Sequence, residues 1–303
     1  MISTGIQELT EAEFAGQQRS LGRRIHEHDG VFWEEVYPFY CKPAFPYRAF
    51  DCGVARPARL QSLLGYSHQV VLPEQGNGWR SLMVLDRECL DRFSLQKLPS
   101  KKRNQVRRAM EQCVILPITD MEAHLERIRE INIVQAVRQA QGAGAEGPAS
   151  RYIAQAYAWR AQIRREFNLE VNREWWGAYV DETLVAYLRT YQVDGIRVIQ
   201  QAKADTTYFK HYPMDALYFT VLRKASENTA CRCIINGSPL HESVNHFKEQ
   251  FLFKHLKYPC FSSIAWLVKT AKIVFFVAAR LRRARSALDD KGDDENCKAK
   301  AQK

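Results

Sequence analysis

Asp205 closes the run Gln200-Gln201-Ala202-Lys203-Ala204, where a strand gives way to a loop. A carboxylate so placed can take the proton from an amine or alcohol as it attacks a carbonyl. The composition Asp205-Thr206-Thr207 is equally that of a hydrogen-bonded turn. Tyr208 and Tyr212 follow closely, and their phenols can donate to a developing oxyanion or a departing group, with aromatic packing the competing role. Lys248, next to Phe247, supplies a cation for a phosphate or for charge formed during transfer, or else lies as a surface stem over apolar neighbours. Asn236-Gly237 ends the apolar run 231–235; its side-chain amide can hold a bound amide, and Asn-Gly is as good a turn. The reacting set is thus Asp205, Tyr212 and Lys248, and the donor-holding set is Tyr208, Asn236, Gly237 and Lys248.

Trp176, Tyr187 and Arg189 are the substrate-contact candidates, all within two strand-like runs. Alternation puts Trp175 and Trp176 on opposite faces, one in the core and the other free to line a cleft. His241 and His246 have no acidic or cysteine companions at ligand spacing, and the eight cysteines are scattered without a CxxC, so no metal site is expected. Reduced thiols then fit a cytoplasmic protein. No Gly-x-Ser-x-Gly, Walker loop, His-Glu-x-x-His or Rossmann glycine fingerprint occurs, which leaves hydrolase, NTPase, metalloprotease and dinucleotide oxidoreductase readings without an anchor.

The elements that must position these residues follow from periodicity and punctuation. A helix is expected over about 10–28, irregular aromatic chain with Pro38, Pro43 and Pro46 over 31–50, a short helix over 58–64, and short strands at 68–72 and 81–84. A helix then runs from Ser100 to 112, a strand over 113–118, and helices from Asp120 and Ser150, separated by a Gly-rich loop at 142–148. Runs 175–180 and 184–191 read as a hairpin, Asp194-Gly195 as a turn, and 196–202 as a third strand. Pro213 opens a helix to about 226, 231–235 is a buried strand, 243–253 a helix and 262–287 a last helix. The order predicts an α/β fold: a mixed, mostly antiparallel sheet flanked by helices, with an aromatic-rich N-terminal region and a C-terminal basic helix.

Of the 303 residues, 44 are Lys or Arg and 34 Asp or Glu, a net charge of +10. With 46% hydrophobic residues the chain is not disordered as a whole, and no apolar run reaches the length of a membrane span. The first 13 residues carry acids and no apolar segment, so no signal peptide is expected. Two acid-free windows, 96–110 and 261–287, each hold six basic residues and suit phosphates on RNA or on lipid, or simply form solvated faces. In the second, Ile264, Leu267, Val268, Ala271, Val274, Phe275, Ala278 and Leu281 make an apolar stripe opposite Lys269, Lys272, Arg280 and Arg283, the pattern of a helix lying on an anionic membrane or docked on the domain. Residues 288–303 are a charged tail expected to be disordered.

Element order and particular residues together resemble the GNAT acyltransferase superfamily, closest to its Fem-type, peptidoglycan aminoacyltransferase-like branch. The residues are Lys101-Lys102-Arg103-Asn104-Gln105-Val106-Arg107-Arg108 ahead of a strand and the hairpin Gly177-Ala178-Tyr179-Val180-Asp181-Glu182-Thr183-Leu184-Val185-Ala186-Tyr187. To these add Tyr212-Pro213-Met214-Asp215 at a strand-to-helix junction, and Asn236-Gly237 followed by Phe247-Lys248-Glu249-Gln250-Phe251. The likeness covers about 96–255. It departs from GNAT enzymes at 211–216, where His-Tyr-Pro-Met-Asp-Ala stands in place of the glycine loop that cradles the acetyl-CoA pyrophosphate, and at Leu252, where a glycine is usual.

The resemblance implies a GNAT-like domain over 96–262, a preceding region 1–95 equivalent to a degenerate first half, a basic amphipathic helix over 263–287, and the tail. It implies an acyl- or aminoacyl-transferase with acyl-CoA or aminoacyl-tRNA as donor, bound between strands 196–202 and 231–235, an amine or hydroxyl acceptor of the cell envelope or a polysaccharide, and no metal. Residues 97–108 would meet tRNA and 263–287 an anionic membrane, giving a cytoplasmic protein peripheral at the inner membrane surface. The alternative is a non-catalytic GNAT-like module that recognises an anionic partner, lipid or RNA, which the missing glycines favour.

Overall fold

The computed structural model describes residues 8–51, 53, 55–140, 147–170 and 172–264. Its first half contains α1 (Glu11–Ser20), β1 (Ile25–His28), β2 (Val31–Tyr37), β3 (Tyr40–Pro43), β4 (Ala49–Phe50), β5 (Gly65–Val70), β6 (Gly78–Asp86), α2 (Arg87–Asp91), α3 (Ser100–Gln112), β7 (Val114–Pro117) and α4 (Met121–Ala140). Then come α5 (Gly147–Ile153), α6 (Ala156–Leu169), β8 (Arg173–Val180), β9 (Thr183–Val193), β10 (Ile196–Ala204), α7 (Pro213–Glu227), β11 (Cys233–Ile235), α8 (Glu242–Glu249) and β12 (Lys254–Ile264).

All the described strands join one sheet in the order β1-β2-β3-β5-β12-β6-β11-β10-β9-β8-β7, with β4 beside β5. Pairing is antiparallel except at β3–β5, β4–β5 and β10–β11. The mixed, mostly antiparallel α/β architecture is the one the element order predicts. Alternation divides the two sheet faces: Trp176, Ala186, Leu188 and Ile199 pack against α2, α3 and α7, whereas Trp175, Tyr187 and Leu184 pack against α4 and α6. Both indoles are buried, so Trp176 lines no cleft.

The sequence expectations depart from the structure at several places. The first helix stops at Ser20 because Gly22 takes a φ of +88°, after which Ile25–His28 is a strand. Region 31–50 is not irregular; it forms β2, β3 and β4, with Pro38 in the turn and Pro43 at a strand end, where neither breaks a ladder. The helix expected to reach 253 ends at Glu249, and Leu252 follows with a φ of +68°. Residues 262–264, expected to start the last helix, instead finish β12, which runs between β5 and β6 with Cys260 opposite Gln69 and Lys254 opposite Val84. Segments on either side of residue 95 therefore share a sheet. Of the loop expected at 142–148, Gly147 and Pro148 instead begin α5; the rest of it, the remainder of the expected last helix and the tail at 288–303 lie outside the described residues. Among the described residues no helix is long and apolar enough to cross a membrane.

Candidate active site

Among the described residues of the second half, the one parallel pair is β10–β11, and it is short. Ile196, Arg197 and Val198 face Cys233, Ile234 and Ile235; β10 then continues to Ala204 paired only with β9, bulged between Ile199 and Gln201. The bulge adds a residue on β10, Gln200, that has no partner on β9. β11 is drawn away from β10 toward β6: Asn236 N–H donates to Met83 O and Met83 N–H to Gly237 O, both at 2.9 Å, with Gly237 at a φ of +64°. Lys248 Nζ, buried, donates to Asn236 O at 2.6 Å and holds the strand end there. Burial pushes the Lys248 ammonium below the usual lysine range.

Beyond the paired registers, Ala202 of β10 lines a cavity of about 480 Å³ together with Phe209, Tyr212, Pro213, Met214, Asp215, Tyr218, Ser243, Val244 and Phe247. The N-terminal ends of α7 and α8 form its walls. At the head of α7, Tyr212 has a left-handed φ of +53° and Pro213 has no N–H to offer. Asp215 fills the helix's first turn and pairs at 2.6 Å with Lys102 Nζ, both side chains buried. Lys102 sits 4.5 Å from the centroid of Phe247 and 5.2 Å from that of Phe251, so its charge is enclosed by a carboxylate and two ring faces. Burial pushes the Asp215 carboxyl up, and the Lys102 charge only partly offsets that. Tyr218 accepts from Asn236 Nδ2 at 2.9 Å, and burial raises its phenol to about 12. It stays protonated near neutral pH, with its own hydrogen left to donate.

The residues singled out from sequence fall in several places. Tyr212 lines the cavity, with the Arg108 guanidinium 5.6 Å over its ring. Asn236 and Gly237, at the end of β11, and Lys248 of α8, which bonds to that end, are not among its lining residues. Asp205 does not line it: its carboxylate accepts from Thr207 N–H at 3.0 Å, Thr207 Oγ1 at 2.8 Å and Arg127 Nη2 at 2.6 Å. Burial pushes that carboxyl up, but the Thr207 and Arg127 hydrogen bonds outweigh it and hold it below the ordinary aspartate range, which suits a cap and ion pair more than a base. Tyr208 packs on the main core. Trp176 donates to Glu174 at 3.3 Å, with Lys224 4.4 Å over its ring. Tyr187 is buried on the opposite sheet face and donates to Asn132 at 3.0 Å; Arg189, on that same face, donates to Glu166 at 2.7 Å and lies 5.0 Å over Trp175.

That opposite face holds a second, polar cavity of about 460 Å³ between α1, α6 and the sheet, lined by Gln18, Arg23, Arg165, Glu166, Glu170, Arg173 and Gln200 among others. Gln200, the extra residue of the bulge, belongs to this cavity, whereas Ala202, two residues on, belongs to the apolar one. Arg173 pairs with Glu170 at 2.7 Å, yet Arg173 Nε and Nη1 and Glu170 Oε2 are buried without hydrogen-bond partners. Burial lowers Arg173 to about 10, helped by the neighbouring Arg189 charge, and raises Glu170. Sequence reasoning missed Tyr218, the Lys102–Asp215 pair and this polar cluster. One signal was available: Lys102 falls on the stripe of Val106 and Ala109, the buried face of α3. Among the described residues no group of His, Cys, Asp or Glu could hold a metal.

No protein-family model and no curated protein sequence matches the chain. Solved structures do. FemX superposes at a TM-score of 0.58 with 9% identity, over 86% of this chain and 98% of that one. The chain shares the fold of FemX. The C-terminal domain of a protein described as a lysylphosphatidylglycerol synthetase from Agrobacterium fabrum is similar at a TM-score of 0.55, with 10% identity, over 88% of this chain and 95% of that one. L-PGS from Bacillus licheniformis is similar at a TM-score of 0.53, with 13% identity, over 92% and 98% of the two chains. At these identities the likeness is one of fold.

Proposed function

We propose that the chain is an acyltransferase that moves an acyl or aminoacyl group from an activated ester or thioester to an amine or hydroxyl. The end of β10–β11 pairing after three registers, beside an apolar cavity that β10 lines through Ala202, supports this reading. The donor's acyl part lies in that cavity, and the acceptor approaches across β10 from the polar cavity on the other face. The nucleophile adds to the carbonyl carbon, a new C–N or C–O bond forms, and the C–O or C–S bond to the carrier breaks. The nucleophile's proton passes to solvent, and the departing oxygen or sulfur is protonated. Tyr218, kept as a phenol by its burial, is the group that donates toward the carbonyl oxygen or the leaving atom. The rest is positioning, which direct transfer between two bound substrates exploits.

An aminoacyl ester on tRNA fits better than a CoA thioester. A pyrophosphate needs free N–H groups at a helix N-terminus, whereas the head of α7 offers Pro213 and the buried carboxylate of Asp215. Lys97, Lys101, Arg107 and Arg108 stay exposed on or beside α3 and suit an RNA backbone. By its resemblance to Fem-type enzymes, the acceptor belongs to cell-envelope or polysaccharide precursors.

The test is thermal unfolding of the purified chain with acetyl-CoA, longer acyl-CoAs or aminoacyl-tRNA. The expected result is a rise of roughly 4 °C or more with aminoacyl-tRNA at saturation, little with acetyl-CoA, and no rise for Val244→Trp, which fills the cavity. A chain that responds to no donor, or a Val244→Trp variant that responds like wild type, overturns the assignment. Plain RNA stabilising as well as aminoacyl-tRNA would point to the non-catalytic module instead.

A further inference from the structure

The polar cavity between α1, α6 and the sheet holds more hydrogen-bonding capacity than its own side chains use. Two of its lining residues are almost wholly buried: the Arg173 side chain is 5% exposed and that of Glu170 2%. They bond to each other at 2.7 Å through Arg173 Nη2 and Glu170 Oε1, and Gln18 Nε2 donates to the same Oε1 at 3.2 Å. Arg173 Nε and Glu170 Oε2 have no hydrogen-bond partner. A buried donor and a buried acceptor left unmet on one ion pair are rare, and each bears its desolvation cost until a partner arrives.

Charge points the same way. Glu166 Oε2 accepts from Arg189 Nη1 at 2.7 Å and lies 3.5 Å from Arg173 Nη1, so one carboxylate is spread over two guanidiniums. Burial and the Arg189 charge lower Arg173 to about 10, the direction of a cation short of negative charge. Burial raises Glu170, the direction of a carboxylate short of positive charge. Three arginines and two glutamates line the cavity, an excess of one positive charge. Of these, Arg23 and Arg165 are exposed at its rim, and Arg165, which donates to Ser20 O, forms no ion pair among the described residues.

We infer that this cavity binds a ligand through an amino carboxylate group. The ligand's carboxylate meets the Arg173 guanidinium, drawn in by Arg23 and Arg165, and its ammonium meets the free oxygen of Glu170. One group then supplies both the negative charge the arginines lack and the donor that Glu170 lacks. A plain anion answers only the first need and a plain amine only the second. The cavity, about 460 Å³, has room for a whole amino acid or for the end of a larger molecule. That the ligand is the recognised end of an acceptor rests on the transferase reading; that it binds does not.

Titration calorimetry of the full chain at pH 7, with no acyl donor present, tests the inference. L-Alanine is expected to bind about tenfold or more tightly than propionate, which lacks the ammonium, and than L-alanine methyl ester, which lacks the carboxylate. Nε-acetyl-L-lysine carries the same group on a long chain: tighter binding than L-alanine identifies the end of a larger molecule as the ligand, and weaker binding a small free amino acid. Glu170→Gln keeps the side chain's size and removes its charge, so the advantage of L-alanine over propionate should shrink to about twofold, with a melting curve to show that the fold is kept. Arg165→Gln, at an exposed position, should weaken both by about threefold and leave the melting temperature unchanged. Three results overturn the inference: no saturable binding of L-alanine; inorganic phosphate binding as tightly as L-alanine, which would make this a general anion site; or an advantage over propionate that survives Glu170→Gln. None of them bears on donor binding in the apolar cavity, so the transferase reading stands or falls separately.

Discussion

Strand β10 has a buried charge cluster on each side, and the two are built differently. On the apolar side, Lys102 and Asp215 meet at 2.6 Å, one cation to one carboxylate, with two phenylalanine rings covering the ammonium. On the polar side, Glu166, Glu170, Arg173 and Arg189 share four charges unevenly: Arg173 Nη1 reaches Glu166 only as an ion pair at 3.5 Å, and Arg173 Nε, Arg189 Nε and Glu170 Oε2 have no hydrogen-bond partner. A closed pair holds structure. A cluster with unmet donors and an unmet acceptor retains hydrogen-bonding capacity that a polar ligand can satisfy, because buried polar groups gain most from the partner they lack. The first cluster locks α3 to the head of α7, and on the proposed reading the second would meet an acceptor's polar part.

The sharpest way to break this contrast is Lys102→Met. It strands a buried carboxylate and should cost about 3–5 kcal/mol in urea unfolding at neutral pH, whereas Lys102→Met with Asp215→Leu should recover most of it. Burial already raises Asp215, so the cost of the single variant should shrink as pH falls and the carboxyl protonates. If the single variant unfolds like wild type, the pair is not the lock described. Tyr218→Phe comes next: transfer should slow by roughly 100-fold with stability altered by less than about 1 kcal/mol, measured as kcat beside a melting curve. An unchanged kcat would remove the phenol from the chemistry.

The smallest effect belongs to the polar side. Glu170 is raised by burial, so in the wild type its ionisation penalty is absent below the ordinary glutamate pKa and grows as pH rises through the folded value. Glu170→Gln should therefore change stability by no more than about 1 kcal/mol, and its stability relative to wild type should improve from pH 4 to pH 7. The opposite slope would show that Arg173 satisfies this carboxylate fully and would erase the difference between the two clusters.

Much of the second half was legible because its signals are local. Two apolar, aromatic-rich runs about Asp181-Glu182-Thr183 gave β8 and β9, Asp194-Gly195 gave the turn, with both residues at positive φ, and Pro213 gave the start of α7. The site was less legible. Asp205 and Lys248 have suitable types, but only three-dimensional packing shows that Thr207 and Arg127 occupy one and a backbone carbonyl the other. Tyr218 reads from sequence as an ordinary core residue of an amphipathic helix; its access to the cavity depends on Asn236, eighteen positions on. Most of β12 drew no assignment from sequence, and its last three residues were read as the start of a helix, because Lys254–Ile264 carries Pro259 and Ser262-Ser263, with little alternation, and its partners are far away in sequence.

The placement of β12 also bears on how the chain is made. Asn77 and Ser262, 185 residues apart, hydrogen-bond to each other in both directions at 2.9 Å across the last strand to join the sheet. On a ribosome, β5 and β6 emerge early with facing edges that only β12 fills. Until residue 264 has cleared the exit tunnel, those edges stand open as templates for any passing strand. So high a contact order predicts slow completion and a window of vulnerability during synthesis, in which a chain stalled before β12 would be a target for chaperones or for aggregation.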